Sequence, residues 1–186
     1  SIDLSEEFFS QITSHDLKLK DFCVGNFFLP NNKKFHSCAG KLIESSMLKK
    51  KMILLKSRII PVNKDILKSS SKKEQLSIKQ WIFKTPNNVN SEEIEKDIHD
   101  ALLEIESKAF TSKNLDGLYP LSLSTKIQVL KGRLNANELI PYFLDLQDKK
   151  HKIHTLYFHT RFSTNTDPHP SMAQPFRLMA HNGELN

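Results

Sequence analysis

The longest regular pattern in the sequence is a stripe of apolar residues between Ser91 and Phe110. Its members recur every three or four positions, the spacing that brings side chains to one face of an α-helix. Asn90 and Glu93 stand at its start with the spacing of a capping box. Because a helix with one apolar face must bury that face, the pattern predicts a long helix packed on a core.

Short apolar runs bounded by turn residues predict the elements that this helix covers. In chain order they predict a strand at 21–30, a helix at 35–51, a strand at 52–61, a short helix or turn at 63–73, a strand at 76–83, a hairpin of 118–124 with 126–130, a helix from Asn135 or Asn137 to Leu146, and strands at 153–162 and 176–180. This order predicts a mixed α/β or α+β fold in which helices cover a sheet. It leaves the order of the strands open.

The composition limits the domain count and the compartment. A chain of 186 residues, 38% hydrophobic and 26% charged, suits one globular domain or part of one. Its two cysteines are too few for a disulfide framework and lack zinc-ligand spacing. No apolar run reaches the roughly 20 residues that a membrane helix needs. We therefore expect a soluble, cytoplasmic protein without a membrane partner.

The net charge of +6 raises the question of nucleic acid. The lysines are scattered over predicted loops and helix ends, and no aromatic residues alternate with them in a pattern suited to base stacking. Arginine, which forms the planar fork that favours phosphate, is scarce. A solvated lysine-rich surface explains the charge better than a nucleic-acid partner does.

Polar residues gather near the C-terminal end of the chain. In an extended strand, His159 and Arg161 share one face and lie at its end. Arg161 then serves either as a donor fork for a substrate carboxylate or as an ordinary surface arginine. The pair Asn182 and Gly183 forms either a turn or, through an amide and a backbone N–H, a site for an oxyanion.

Histidines in the same region raise the question of a metal: His151, His154, His159, His169 and His181. The sequence has no HExxH helix and no carboxylate at ligand spacing beside them. Polar loop and strand-end residues are the simpler interpretation, so we predict no metal site.

Several motifs in this region resemble a known family. FHTRFSTNT, AQPFR and the terminal AHNGELN are similar, in order and spacing, to motifs of the type 2 glutamine amidotransferase domain of glutamate synthases. Upstream, LYPLSLSTKIQVLKGRL and YFLDLQD look like that family's strand pair and its "YKG" connection, and DFCVGNFFLP is similar to its "VG…FLP" strand. The resemblance spans about residues 21–186 and is most specific from about residue 117 onward.

The resemblance implies a fold and a reaction. The fold is an α+β, four-layer αββα N-terminal nucleophile hydrolase sandwich. An N-terminal cysteine, with its own α-amino group as base, attacks the side-chain amide of L-glutamine and releases ammonia. Carried over by position, Arg161 binds the α-carboxylate of glutamine with help from Thr164, and Asn182 and Gly183 form the oxyanion hole.

The resemblance also implies a longer enzyme. Ammonia would pass to a synthase domain of the same chain that reductively aminates 2-oxoglutarate to L-glutamate. The electrons would come through FMN and an iron–sulfur cluster bound elsewhere, from an electron-donating subunit or ferredoxin. The present sequence has neither a cysteine cluster nor a glycine-rich phosphate loop for these groups.

The sequence departs from the family at its start. The chain begins Ser1-Ile2-Asp3 where the family has Cys-Gly-Val-Gly, so we expect residues 1–186 to be a partial domain, cut at both ends and inactive alone. Cys23-Val24-Gly25 resembles the family start superficially, but Cys23 belongs to a predicted buried strand, where a thiol is inert.

Two other interpretations stay open at this point. The chain could be a non-catalytic module that keeps a glutamine pocket for sensing or interaction. It could also belong to another amidotransferase of the same type, such as those that feed purine or amino-sugar synthesis. The run from Arg161 to Asn182 favours the glutamate synthases over those relatives.

Overall fold

The computed structural model of the chain describes residues 1–69, 72, 75–159 and 175. Its strands are β1 (Ile2–Asp3), β2 (Phe22–Phe28), β3 (Ile53–Ile59), β4 (Ile78–Lys84), β5 (Tyr119–Ser124) and β6 (Ile127–Gln128). Its α-helices are α1 (Glu6–Thr13), α2 (His36–Lys49), α3 (Ser91–Thr111) and α4 (Leu139–Tyr142).

Four strands form the main sheet, in the order β3-β4-β2-β5 with antiparallel neighbours. The central strand β2 is buried along its whole length, because it has a partner on each side and both of its faces are covered. The predicted strands at 21–30, 52–61 and 76–83 are therefore confirmed, with ends shifted by a few residues.

Helices α2 and α3 cover one face of this sheet. The apolar stripe of α3, including Ile98 and Leu102, packs with Ile43 of α2 onto Phe27 and Trp81. The start of α3 is fixed by the predicted cap, since the Asn90 side chain accepts a hydrogen bond of 2.8 Å from the Glu93 N–H. The long helix predicted from the stripe is thus confirmed within one residue of its end.

The opposite face of the main sheet is apolar at both ends and polar in the middle. At one end, Phe22 and Val24 pack with α1, and at the other end Phe28 packs near α4. Between them on the same face of β2 and β4 lie the buried amides of Asn26 and Gln80. A buried amide needs hydrogen-bond partners. This polar band in the middle of the face therefore determines which further elements can pack against the sheet.

Arg58 of β3 supplies the first partner of this band. Its guanidinium donates two hydrogen bonds to the Asp145 carboxylate, at 3.0 and 2.5 Å, and a third from Nε to the Gln80 side chain at 2.9 Å. The two charged side chains are only 17% and 12% exposed. The pair therefore ties the segment 144–147 to the sheet.

The band continues from Gln80 to the second sheet. Gln80 Nε2 donates to Asn26 at 2.9 Å and to Gln128 of β6 at 3.1 Å, and Gln128 in turn lies 3.1 Å from Nε2 of His151. Nδ1 of His151 lies 2.9 Å from the backbone carbonyl of Asp145 and must donate to it, because a carbonyl only accepts.

These contacts close a ring. We call Arg58, Gln80, Gln128, His151 and Asp145 the polar ring. Every member has a donor or acceptor partner within it.

The predicted hairpin of 118–124 with 126–130 is wrong. Strand β5 pairs with β2 in the main sheet, whereas β6 pairs with β1 in a second, two-stranded sheet. The Ser124 hydroxyl accepts hydrogen bonds from the N–H groups of Lys126 and Ile127, which turns the chain from one sheet into the other. Adjacent strand patterns predicted two strands correctly but not their partners.

The predicted helix from Asn135 or Asn137 to Leu146 is broken. Asn135 caps a short 3₁₀ turn at Ala136–Glu138 in a reciprocal capping box, α4 follows, and the helix then stops. Phe143 is extended and buried and forms a β-bridge with Val62, so tertiary packing overrides the helical pattern there. A second 3₁₀ turn follows at Leu144–Gln147.

The antiparallel sheets and packed helices give an α+β fold. The first twenty residues, for which the sequence predicted no element, add β1 and α1. Of the predicted strand at 153–162, the structure describes an antiparallel bridge between Ile2 and Leu156, while residues 160–162 and the predicted strand at 176–180 lie outside the described residues.

Candidate functional site

A cavity of about 370 Å³ lies beside the second sheet. One wall is formed by the chain that follows β6 and by α4, and the other by residues 153–159. Pro175 also lines it. The walls are mostly apolar, with polar groups from Lys131, Asn135 and His159. Ligand sites of proteins typically combine such an apolar lining with a few polar groups.

Pairing with β1 positions the second wall. Beside the bridge to Leu156, the N–H of Thr155 donates to the Asp3 carboxylate at 2.7 Å, and the N–H of Tyr157 donates to the carbonyl of Ser1 at 2.9 Å. The consecutive residues from Leu156 to His159 all line the cavity.

Buried polar groups position the first wall. The Asn26 side chain donates to the carbonyl of Val129 at 3.0 Å, and the Val129 N–H donates to the Ser122 hydroxyl at 3.0 Å. The main sheet therefore fixes the backbone just before Leu130 and Lys131. The Asn135 capping box fixes the other end of this wall.

Lys131 is the most unusual group of the cavity wall. It is 8% exposed, and lysine is almost never buried to this degree without partners. Its Nζ lies 3.4 Å from the carbonyl oxygen of Pro175 and 5.5 Å from the centre of the Tyr119 ring. Burial lowers the pKa of the Lys131 ammonium to about 8.

Three of the sequence motifs meet at this cavity. His159 belongs to FHTRFSTNT, Pro175 to AQPFR, and Lys131 to LYPLSLSTKIQVLKGRL, whose Tyr119 ring lies beneath the Lys131 ammonium. In the sequence, Tyr119 and Pro175 are far apart. The fold thus brings together the segments that the sequence singled out.

The predicted site residues themselves lie outside the described residues: Arg161, Thr164, Asn182 and Gly183. Their roles stay predictions. His159, two positions before Arg161, is the nearest described neighbour in the sequence, and it lines the cavity.

Cys23 does not fit the role of a nucleophile. It is fully buried in β2, its Sγ lies 3.8 Å from the sulfur of Met52, and burial raises its pKa to about 12. A thiol with so high a pKa carries almost no thiolate near neutral pH, and the thiolate is the reactive form. The structure agrees with the sequence-based interpretation of an inert core cysteine.

Among residues 1–69, 72, 75–159 and 175, no group of three or more His, Cys, Asp or Glu side chains is placed to hold a metal ion. Within those residues, no helix is both long and apolar enough to cross a membrane.

Sequence reasoning missed the polar ring and gave Lys131 no role of its own. Arg58 and Asp145 are 87 positions apart, so no local pattern predicts their ion pair. For Lys131 a signal existed, because a lysine in an otherwise apolar run, followed by Gly132, is unusual on a buried wall.

Comparison with known proteins agrees with these motifs. The model of the family "Glutamine amidotransferases class-II" matches residues 2–186. Similar proteins include ferredoxin-dependent glutamate synthase 1, chloroplastic/mitochondrial, of Arabidopsis thaliana, 33% identical over 88% of this chain. The large chain of NADPH glutamate synthase of Azospirillum brasilense is 30% identical over 95% of this chain. A ferredoxin-dependent glutamate synthase of Antithamnion sp. is 38% identical over 72%.

These matches cover only a small part of each relative. The aligned region is 10% of the Arabidopsis protein, 12% of the Azospirillum protein and 9% of the Antithamnion protein. The family match covers nearly the whole chain, including the three motifs at the cavity. The chain therefore belongs to the class-II glutamine amidotransferases.

Proposed function

We propose that this chain is part of the glutaminase domain of a glutamate synthase. The observation that supports the proposal best is the meeting of three family motifs at one cavity, through His159, Pro175 and Lys131. The relatives named above, all called glutamate synthases, support the choice within the family. The substrate is L-glutamine, and the products of this domain are L-glutamate and ammonia.

The chemistry proceeds through a covalent intermediate. An N-terminal cysteine of the longer protein attacks the side-chain amide carbon of glutamine, and its α-amino group takes the thiol proton and delivers it to the leaving nitrogen. A thioester forms as ammonia leaves, and water then hydrolyses the thioester to glutamate. In this proposal Asn182 and Gly183 donate hydrogen bonds to the oxyanion, where losing one donor typically costs about 3 kcal/mol in the barrier.

Arg161 and Thr164 bind the α-amino acid end of glutamine in this proposal. An arginine fork grips a carboxylate with two parallel hydrogen bonds, which sets both position and orientation. His159, two positions before Arg161 in the sequence, lines the cavity, and this supports a place for Arg161 close to it.

The larger assembly is part of the same proposal. Residues 1–186 form a portion of a four-layer αββα domain, and other domains of the same chain use the ammonia to aminate 2-oxoglutarate. FMN and an iron–sulfur cluster bind in those domains. The described residues do not fit a cluster, because Cys23 is buried in a strand and no metal-ligand group occurs among them. The electron donor is a partner subunit or ferredoxin, and the location is cytoplasmic or, as in the plant relatives' names, within an organelle.

Kinetics on the complete protein test this function. Glutamate formation from 2-oxoglutarate is measured with glutamine and, separately, with free ammonia as nitrogen donor. Arg161→Lys should raise the KM for glutamine strongly, because an ammonium cannot form the paired bonds, and should leave ammonia-supported turnover nearly intact. The same change at Arg133, whose side chain does not line the cavity, is the control. Equal loss of both activities in Arg161→Lys would contradict the assignment.

A further inference from the structure

Lys131 is a buried lysine on the mostly apolar wall of the cavity. Desolvation makes the ammonium of Lys131 costly to keep charged, as its lowered pKa indicates. A methionine of similar length would fill an apolar wall without that cost. The lysine also does not place its ammonium in solvent, since the residue is 8% exposed. The ammonium therefore interacts with groups inside the protein.

The backbone around Lys131 is held firmly. Val129, two residues earlier, is fixed from both sides by Asn26 and Ser122. On the far side, the Gln75 side chain donates to the carbonyl of Arg133 at 2.7 Å. A side chain that starts from so fixed a backbone can hold another segment in place.

The Lys131 ammonium contacts the Pro175 carbonyl and the Tyr119 ring. It donates to the Pro175 carbonyl at 3.4 Å, a long hydrogen bond, and lies over the Tyr119 ring of β5. Pro175 belongs to AQPFR, between the segments predicted to bind glutamine and the oxyanion. No other hydrogen bond is described for Pro175 in the part of the chain that the structure covers.

We propose that Lys131 is a positioning residue for the glutamine site, whose ammonium holds Pro175 at the wall of the cavity. This inference rests on the function proposed above. In this proposal Lys131 acts through its contact with Pro175 and not on the reacting atoms.

Protonation of Lys131 should then affect glutamine binding. The amine accepts a proton below about pH 8, where the charged donor holds the carbonyl most strongly, and loses it above. The titratable groups near it among the described residues are Tyr119 beneath the ammonium, and Tyr157 and His159 on the cavity wall.

Steady-state kinetics of the complete protein test the proposal with three variants. Lys131→Met should raise the KM for glutamine about tenfold with a smaller change in kcat, since a charged hydrogen bond contributes at least that factor. Lys131→Arg keeps a charged donor and should recover most of the loss. Lys126→Met, an exposed lysine of the same turn region, is the matched control and should behave as wild type.

The pH profile separates positioning from mere stability. In wild type, kcat/KM for glutamine should decrease above about pH 8. In Lys131→Arg this decrease should occur at higher pH, because the guanidinium stays charged. Thermal unfolding of each variant is recorded alongside. An unchanged KM in a folded Lys131→Met protein, or equal profiles for the lysine and arginine forms, would overturn the proposal. Absence of glutamine hydrolysis in wild type would instead refute the proposed function.

Discussion

The buried imidazole of His151 shows how strongly one residue's chemistry depends on its neighbours. It stacks on Phe8 with ring centres 4.3 Å apart, accepts from Gln128 and donates to the Asp145 carbonyl. Only the neutral ring fits this pattern, because a protonated Nε2 would face the donor amide of Gln128. Burial lowers the pKa of His151, against the opposing influence of Asp145.

We expect His151 to make folding sensitive to acid. Its pKa is lower in the folded chain than the usual 6.5, so the unfolded chain takes up the proton first as pH falls. The free energy of unfolding should therefore decrease below about pH 6.5. The charged groups that face the ring are Asp145, Arg58 and Asp148.

Urea unfolding between about pH 8 and about pH 5 measures this effect. His151→Gln retains an amide in the place of the ring but does not titrate, so its pH dependence should be shallower than that of wild type. Carboxylates also titrate in this range, and the comparison cancels their shared contribution. Parallel curves for the two proteins would show that His151 contributes nothing to the pH dependence.

Gly25 offers a second prediction at the residue scale. A Cβ there would lie 2.7 Å from a ring carbon of Phe27 and 2.9 Å from a methyl of Leu123. Both are packed core atoms, so Gly25→Ala should lower the free energy of unfolding by about 1–3 kcal/mol through overpacking.

Gly40 in α2 is the matched control for Gly25. A Cβ there meets its nearest neighbour, Trp81, at 3.8 Å, an ordinary contact. Gly40→Ala should therefore stabilise the helix by about 0.5–1 kcal/mol. Urea unfolding of both variants should give shifts of opposite sign, and equal shifts would refute the packing argument.

At the scale of elements, sequence patterns predicted the positions of helices and strands better than they predicted which strands pair. The apolar period of α3 and its Asn90 cap are local, so the helix could be predicted nearly to its ends. The partner of β6 could not, because β1 lies more than a hundred residues away and consists of two residues. The break at Phe143 likewise depends on a distant residue, Val62.

The candidate site was predictable in part for the same reason. Motif resemblance pointed to the segments that contain His159 and Pro175, and the structure brings both to one cavity. The apolar run around Lys131 is a local signal, but its proposed role depends on a contact across 44 positions, which the local sequence does not predict.

The Arg58–Asp145 pair should be the most important ionic contact between elements. Because both groups are largely buried, removing one partner leaves a charge without compensation, which costs about 3 kcal/mol. We expect Arg58→Met and Asp145→Asn each to destabilise the chain by about 2–3 kcal/mol, allowing for the residual exposure.

A double variant and an exposed pair make this test specific. Arg58→Met combined with Asp145→Leu should be less destabilised than the sum of the single changes, because no lone charge remains. Lys152→Met breaks the exposed pair with Glu7 and should cost at most about 1 kcal/mol. If the exposed pair proved as costly as the buried one, burial would not be the cause.

At the scale of the whole molecule, the polar ring joins the two sheets. The main sheet contributes Arg58 and Gln80, and the second sheet contributes Gln128. The chain that follows α4 contributes Asp145 and His151. Apolar contacts alone are tolerant of small shifts, whereas a closed set of hydrogen bonds fits only one arrangement. The cavity therefore has a wall whose position is set by the main sheet.

The surface beside the cavity leads to a prediction about association. Leu156, Tyr157 and Phe158 are 51%, 72% and 68% exposed and are consecutive, so they form a continuous apolar patch at the cavity. On the described part of the chain, this segment pairs with β1 alone. Large apolar patches and open strand edges both favour contact with further chain. We therefore expect the 186-residue chain on its own to self-associate through this patch at raised concentration.

Sedimentation velocity over a concentration series measures that association. Phe158→Ser should lower it markedly, because it removes one of the two rings of the patch while leaving the β1 bridge at Leu156 in place. Phe110→Ser is the control, since Phe110 is 93% exposed but lies on α3, outside the cavity lining. If total exposed apolar area controlled association, Phe110→Ser would have the larger effect. A smaller effect of Phe110→Ser than of Phe158→Ser would instead locate the contact surface at the cavity.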